Sequence, residues 1–235
     1  MALTLPFQHY SIQNPVEQEI DEIYSLLTYT LVYQDWQSAS IPREKRRGYN
    51  IGALLVNPAK MPVYAGLNCI NSTDNATQHG ELRVMLAYLE QERCFNLKGF
   101  TIYTTLEPCI MCAGMMTMTN VARVVYGQKD LNFSNGLERL ALDTSELGGY
   151  PPFQRTTWSD PSPSPFRARL DAAYHQYLQA GNEQVLAKFL TGEVAMEIFK
   201  EAHEAFLGFE LKYEENRGIL RNALSFLTNF LNNMI

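Results

Sequence analysis

TIYTTLEPCIMCAGMMTMTNVARVVYGQKD, residues 101–130, packs an extended segment, a helix and a second extended segment into one short unit. Residues 100–104 (FTIYT) have the β-branched and aromatic content of a strand. Residues 109–118 read as a helix, and residues 122–127 (ARVVYG) return to strand character. Upstream, Leu82, Met85, Leu86 and Leu89 repeat at helical spacing behind the polar loop 71–78. Before that loop lie two strand-length apolar runs, 49–56 and 63–68, bracketing a connection punctuated by Pro58 and Pro62, which predicts an antiparallel hairpin. Val16, Ile20, Ile23, Leu27 and Leu31 predict an amphipathic first helix, with Asn14 as its cap and Pro15 in its first turn. The order helix, strand, strand, helix, strand, helix, strand argues for a layered α/β domain with a mixed sheet.

Downstream, the composition changes. Residues 150–165 contain Pro151, Pro152, Pro161, Pro163 and Pro165, read as a stiff extended connector. Residues 166–235 are helical in pattern, so the division expected is a domain over 1–149, the connector, and a helical extension. The extension's aromatics (Tyr174, Tyr177, Phe189, Phe206, Phe209, Phe226 and Phe230) are expected to pack as core or subunit contact rather than as a ligand stripe.

The whole chain has 235 residues, 46% hydrophobic and 19% charged, enough apolar material for a core and too much for wholesale disorder. No apolar run reaches membrane-helix length, and the opening MALTLPFQHYSIQNP lacks the layout of a signal peptide, so a cytoplasmic protein is expected. Four cysteines are too few for a disulfide scaffold. A net charge of −6 lacks the basic footprint of a nucleic-acid binder. The basic cluster Arg43, Lys45, Arg46 and Arg47 is diluted by Glu44 and reads as a solvated loop before a phosphate contact.

Two short motifs carry the chemistry. His79-Gly80-Glu81 precedes a predicted helix, and Pro108-Cys109-Ile110-Met111-Cys112 opens another thirty positions on. Each is weak alone. Together they supply one imidazole, two thiolates and a carboxylate in the H-x-E…P-C-x-x-C pattern of zinc deaminases. Helix N-termini favour the thiolate form that binds metal. Three protein ligands leave the fourth tetrahedral position for water, as in catalytic zinc sites. Glu81 then has a place as proton shuttle between that water, the ring nitrogen and the leaving amine.

The match extends past the signature. TLEPCIMCAG followed by ARVVYG resembles the tRNA-adenosine deaminase branch of the cytidine-deaminase-like superfamily, with a likeness covering roughly residues 15–145. The resemblance implies an α/β three-layer α-β-α fold with a five-stranded mixed sheet. It also implies a Zn2+ ion held by His79, Cys109 and Cys112, and Glu81 as the catalytic acid/base. Asn68, Gly80 and Pro108 correspond to substrate-contacting positions, Asn68 being the base-reading one in purine-directed relatives. Its alternative is a turn-forming asparagine. The family places alanine where this chain has Gly80, a change expected to widen the pocket. The extension has no counterpart in the compact tRNA-acting enzymes. The resemblance implies assembly as dimers or higher oligomers, and a homodimer is expected.

These readings favour hydrolytic deamination of a free purine base or nucleoside, with a tRNA adenosine-to-inosine activity as the alternative that the charge disfavours. Two readings from other classes stand beside it. A thiol–disulfide oxidoreductase would also place C-x-x-C at a helix start but leaves His79 and Glu81 without a role. A non-catalytic zinc-binding interaction protein would tolerate loss of Glu81, which is retained. Met111, Met115, Met116 and Met118 are expected to fill the core around the site, with Met115 and Met116 near the base.

Overall fold

A computed structural model describes residues 14–140, 145–148 and 157–232. The first helix, α1 (Pro15–Gln34), starts as its sequence dictates: the Asn14 side chain accepts the Val16 N–H, and Pro15 occupies the first turn. Strands β1 (Gly52–Val56) and β2 (Pro62–Leu67) form the expected antiparallel hairpin. Next come α2 (Gly80–Glu92), β3 (Thr101–Leu106), α3 (Ile110–Met118) and β4 (Arg123–Gln128). The short α4 (Gly136–Leu140) follows.

The sheet is mixed and five-stranded, in the order β2-β1-β3-β4-β5. Strands β1 and β3 pair antiparallel, whereas β3, β4 and β5 run parallel. The fifth strand, β5 (Trp158–Pro161), comes from the proline-rich segment read above as a connector. Its physical logic is position: β5 is an edge strand, where prolines do least harm to a ladder. The earlier prolines of that segment, Pro151 and Pro152, lie outside the described residues.

Alternation along the strands sends side chains to two cores. Ala53, Leu55, Ile102 and Val124 pack under α2 and α3, while Leu54, Val56, Tyr103 and Val125 face α1. The extension supplies α5 (Pro165–Gln179), α6 (Leu186–Phe189), α7 (Glu193–Leu207) and α8 (Arg217–Asn232). These helices share the α1 core: Phe199 packs edge-on to Tyr29 at 5.2 Å and lies 5.2 Å from Trp36. Tyr174, Phe189 and Phe206 are buried there, and Tyr177, Phe209, Phe226 and Phe230 pack partly buried against it. Buried polar groups fasten the same joint. Glu19 accepts from the Lys212 backbone N–H at 2.6 Å and from Asn216 Nδ2 at 2.8 Å.

On the far side of α1, Asp21 receives both Arg123 end nitrogens, at 2.9 and 2.8 Å, and the Tyr103 hydroxyl at 2.8 Å. Arg123 also donates to Asp160 of β5 at 2.6 Å. One guanidinium thereby ties α1, β4 and β5 together. Among the described residues, no helix is long and apolar enough to cross a membrane.

Candidate active site

Two helix starts meet at the site. His79 and Cys109 are the N-caps of α2 and α3, and neither uses its side chain to cap its own helix. Their backbone carbonyls begin the helices, accepting Arg83 N–H at 3.0 Å and Ala113 N–H at 2.9 Å. The imidazole and thiol are left free for other work. One turn into α3, the buried Cys112 points the same way.

The three donor atoms form a near-equilateral triangle. Cys109 Sγ lies 3.7 Å from His79 Nδ1 and 3.7 Å from Cys112 Sγ, and Cys112 Sγ lies 3.6 Å from His79 Nδ1. A tetrahedral zinc with bonds of about 2.3 Å to sulfur and about 2.1 Å to nitrogen requires donor separations of roughly 3.5–3.8 Å. The donor set and its spacing fit that ion. The hydrogen bond shared by the two sulfurs lowers the Cys109 thiol to about 4 and, with burial, pushes Cys112 well up. The hydrogen bond with Cys109 also raises His79.

Glu81, 3% exposed, lies on the first turn of α2. Burial pushes its carboxyl up to about 7, and its Oε2 is buried without a hydrogen-bond partner. An unsatisfied carboxylate oxygen in such a place is costly and points to a partner that arrives with the reaction.

A cavity of about 300 Å³ opens onto this group, lined by His79, Glu81, Cys109 and Asn68 among others. Asn68 is buried; its Oδ1 accepts the Tyr49 N–H at 3.1 Å and, two residues on, the Ile70 N–H at 3.4 Å, so the turn reading of this residue has a basis. Those bonds fix the amide's orientation and leave Nδ2 without a hydrogen-bond partner among the described residues. Gly80 and Pro108 are both buried, yet neither lines the cavity. The expected widening at Gly80 does not occur. A Cβ there would lie 2.6 Å from the Gly66 carbonyl oxygen and 3.1 Å from Ala53 N, so the missing side chain faces the sheet. Glycine lets α2 begin in close contact with the β1–β2 hairpin. Met115 and Met116 stay away from the cavity wall, and Met118 is 68% exposed instead of filling the core.

Several lining residues lie outside the H-x-E and P-C-x-x-C motifs. Glu107 and Asp130 organise the loop after β4: Glu107 accepts the Asn135 N–H at 2.8 Å, and Asp130 Oδ1 accepts those of Asn132 and Phe133 at 2.8 and 3.0 Å. Both lie in the stretch that reads as strand and helix, where their loop contacts leave no periodic signal. The extension contributes Gln184, Val185, Leu186 and Ala187 to the wall.

Of the basic cluster, Arg47 is spent on Asp35, at 2.6 Å, and on the Asn68 carbonyl. Arg46 donates to the Ile41 carbonyl at 2.6 Å, so only Arg43 and Lys45 are left as fully exposed cations of that run.

The sheet order, the two helix starts and the His-Cys-Cys group are those that the H-x-E and P-C-x-x-C motifs lead one to expect. Residues 33–128 match the cytidine and deoxycytidylate deaminase zinc-binding region. A tRNA-specific adenosine deaminase of Haemophilus influenzae is 31% identical over 117 residues, 49% of this chain and 62% of that protein. The match thus spans under two thirds of that relative's length. A solved structure from studies of A-to-I editing by tRNA:A34 deaminases has 26% identity, covering 47% of this chain and 82% of its own, with a TM-score of 0.40. The guanine deaminase of Nitrosomonas europaea has 14% identity, covering 84% and 97%, with a TM-score of 0.45.

Proposed function

We propose that this chain is a zinc-dependent hydrolytic deaminase acting on a free purine base or nucleoside. The observation that carries the reading is the cavity. At about 300 Å³ it lies at the small end of ligand pockets, and it is walled in cis by four residues of the extension. His79, Cys109 and Cys112 are the groups to hold zinc, leaving one tetrahedral position open. Zinc, when bound, supplies a water acidic enough to attack near neutral pH.

Glu81 takes a proton from the attacking water as its oxygen adds to the amine-bearing ring carbon, and delivers that proton to the adjacent ring nitrogen. It passes the second proton to the amine as the C–N bond breaks, and ammonia leaves. Asn68 Nδ2 offers a donor to an acceptor nitrogen on the ring, a role supported by its fixed orientation at the cavity wall. A homodimer accords with large apolar side chains left exposed on α3, Ile110 and Met118.

The second reading, adenosine deamination in tRNA, is favoured by the likeness to the tRNA-specific adenosine deaminase of Haemophilus influenzae. Against it stand the committed arginines Arg46 and Arg47 and a net charge of −6. The test is ammonia release by the zinc-loaded full chain from free bases, nucleosides, nucleotides and tRNA. The highest kcat/KM is expected on a small purine. A higher value on tRNA overturns the substrate, and no turnover of any member overturns the activity.

A further inference from the structure

The cavity has two jaws from distant parts of the chain. One is the loop after β4, whose Asn132 and Phe133 reach the wall and whose backbone Glu107 and Asp130 pin from beneath. The other is the start of α6 and the residues before it, which bring Gln184, Val185, Leu186 and Ala187. This second jaw is anchored as well. Leu186, Phe189 and Leu190 are buried in the α1 core, and the buried Asn50 donates to the Leu190 carbonyl at 2.8 Å.

A direct hydrogen bond joins the jaws: Gln184 Nε2 donates to Asn132 Oδ1 at 2.8 Å, at an exposed position. Beside it, Phe133 is 58% and Val185 39% exposed although both line the cavity. Large apolar side chains at an open rim are placed to meet a ligand's flat or apolar part. His79, Glu81 and Cys109 line the same cavity, so a ring bound with its amine at the metal triangle shares that space with this rim.

We propose that the Gln184–Asn132 bridge, flanked by Phe133 and Val185, is the specificity clasp of the site, admitting a free base and turning away the same base carrying a sugar. The inference rests on the small-purine reading above and narrows it to the free base. Neither residue touches the metal triangle or Glu81 in the contacts of the site, so the clasp acts on the substrate's outer edge and not on the chemistry.

The test uses the zinc-loaded full chain and two variants, Gln184→Ala and the double variant Asn132→Asp with Gln184→Lys, which rebuilds the bridge as an ion pair. Dissociation constants are measured by calorimetry for adenine and guanine and for their ribonucleosides, alongside kcat/KM for each. The wild type is expected to prefer the base. Gln184→Ala should reduce that preference by about tenfold, the scale one hydrogen bond can set, with the double variant restoring it. An unchanged base-to-nucleoside ratio in Gln184→Ala, with base still bound and turned over, overturns the clasp and leaves the deaminase reading standing. A wild type that prefers nucleosides also overturns the clasp alone. Failure of the wild type to bind or turn over any base or nucleoside overturns both.

Discussion

Cys112 is the buried corner of the donor triangle, with Cys109 and His79 half-buried above it. Replacing a soft thiolate by a hydroxyl at that corner removes one of the three donors proposed to hold zinc. Cys112→Ser is therefore expected to lower zinc from about one per chain to a small fraction, read by elemental analysis of the purified protein; full retention would remove Cys112 from the metal site. Asn68 carries two loads, a carbonyl that holds the Tyr49 N–H and an amide donor facing the cavity. Asn68→Ala should retain zinc and lower kcat/KM about tenfold or more, as expected for a lost hydrogen bond to substrate. An unchanged kcat/KM would leave the asparagine a turn residue only. The metal triangle and Glu81 were legible in the sequence because both motifs are local: helix starts convert spacings of two and three residues directly into geometry. Gln184 was not, since its partner Asn132 lies 52 positions away and neither residue type announces a cavity wall.

At the scale of elements, α2 touches the hairpin through glycine. Gly80→Ala forces a methyl toward the Gly66 carbonyl and Ala53 N. Backbone atoms on both sides cannot give way cheaply, so a loss of about 1–3 kcal/mol is expected. Thermal unfolding should show a midpoint lower by several degrees; an unchanged midpoint would mean the helix start has slack. Helix α1 teaches a different lesson. Its sequence reads as a stripe, Val16 to Leu31, yet Tyr24, Leu26, Thr28, Tyr29, Thr30 and Val32 are buried too. Periodicity identifies the face toward the sheet, but the opposite face is covered by α7, some 170 residues further on, which no local pattern announces. Phe199 is the side chain that fills that second contact, fully buried against Tyr29 and Trp36. Phe199→Ala should cost about 3–5 kcal/mol, measured by urea unfolding. A cost under 1 kcal/mol would show the extension to be loosely applied.

For the whole molecule, the fold class was readable from the alternation of helices and strands, while the fifth strand was not. Prolines at 161, 163 and 165 argue for a connector, and the edge of a sheet tolerates what its centre would reject. The half-buried Arg123 bonds to both Asp160 and Asp21, giving that edge strand a place. The extension shares the α1 core and walls the cavity, so the site is completed by parts of the chain that no zinc motif touches.

Glu81 is proposed to move protons at a zinc centre that it does not ligate. The direct measurement is zinc content and ammonia release on the same preparation of Glu81→Ala, beside wild type and with the best purine substrate. Zinc should be retained at about one per chain and turnover reduced by roughly a hundredfold or more. Turnover at the wild-type rate in the zinc-loaded variant would contradict that role.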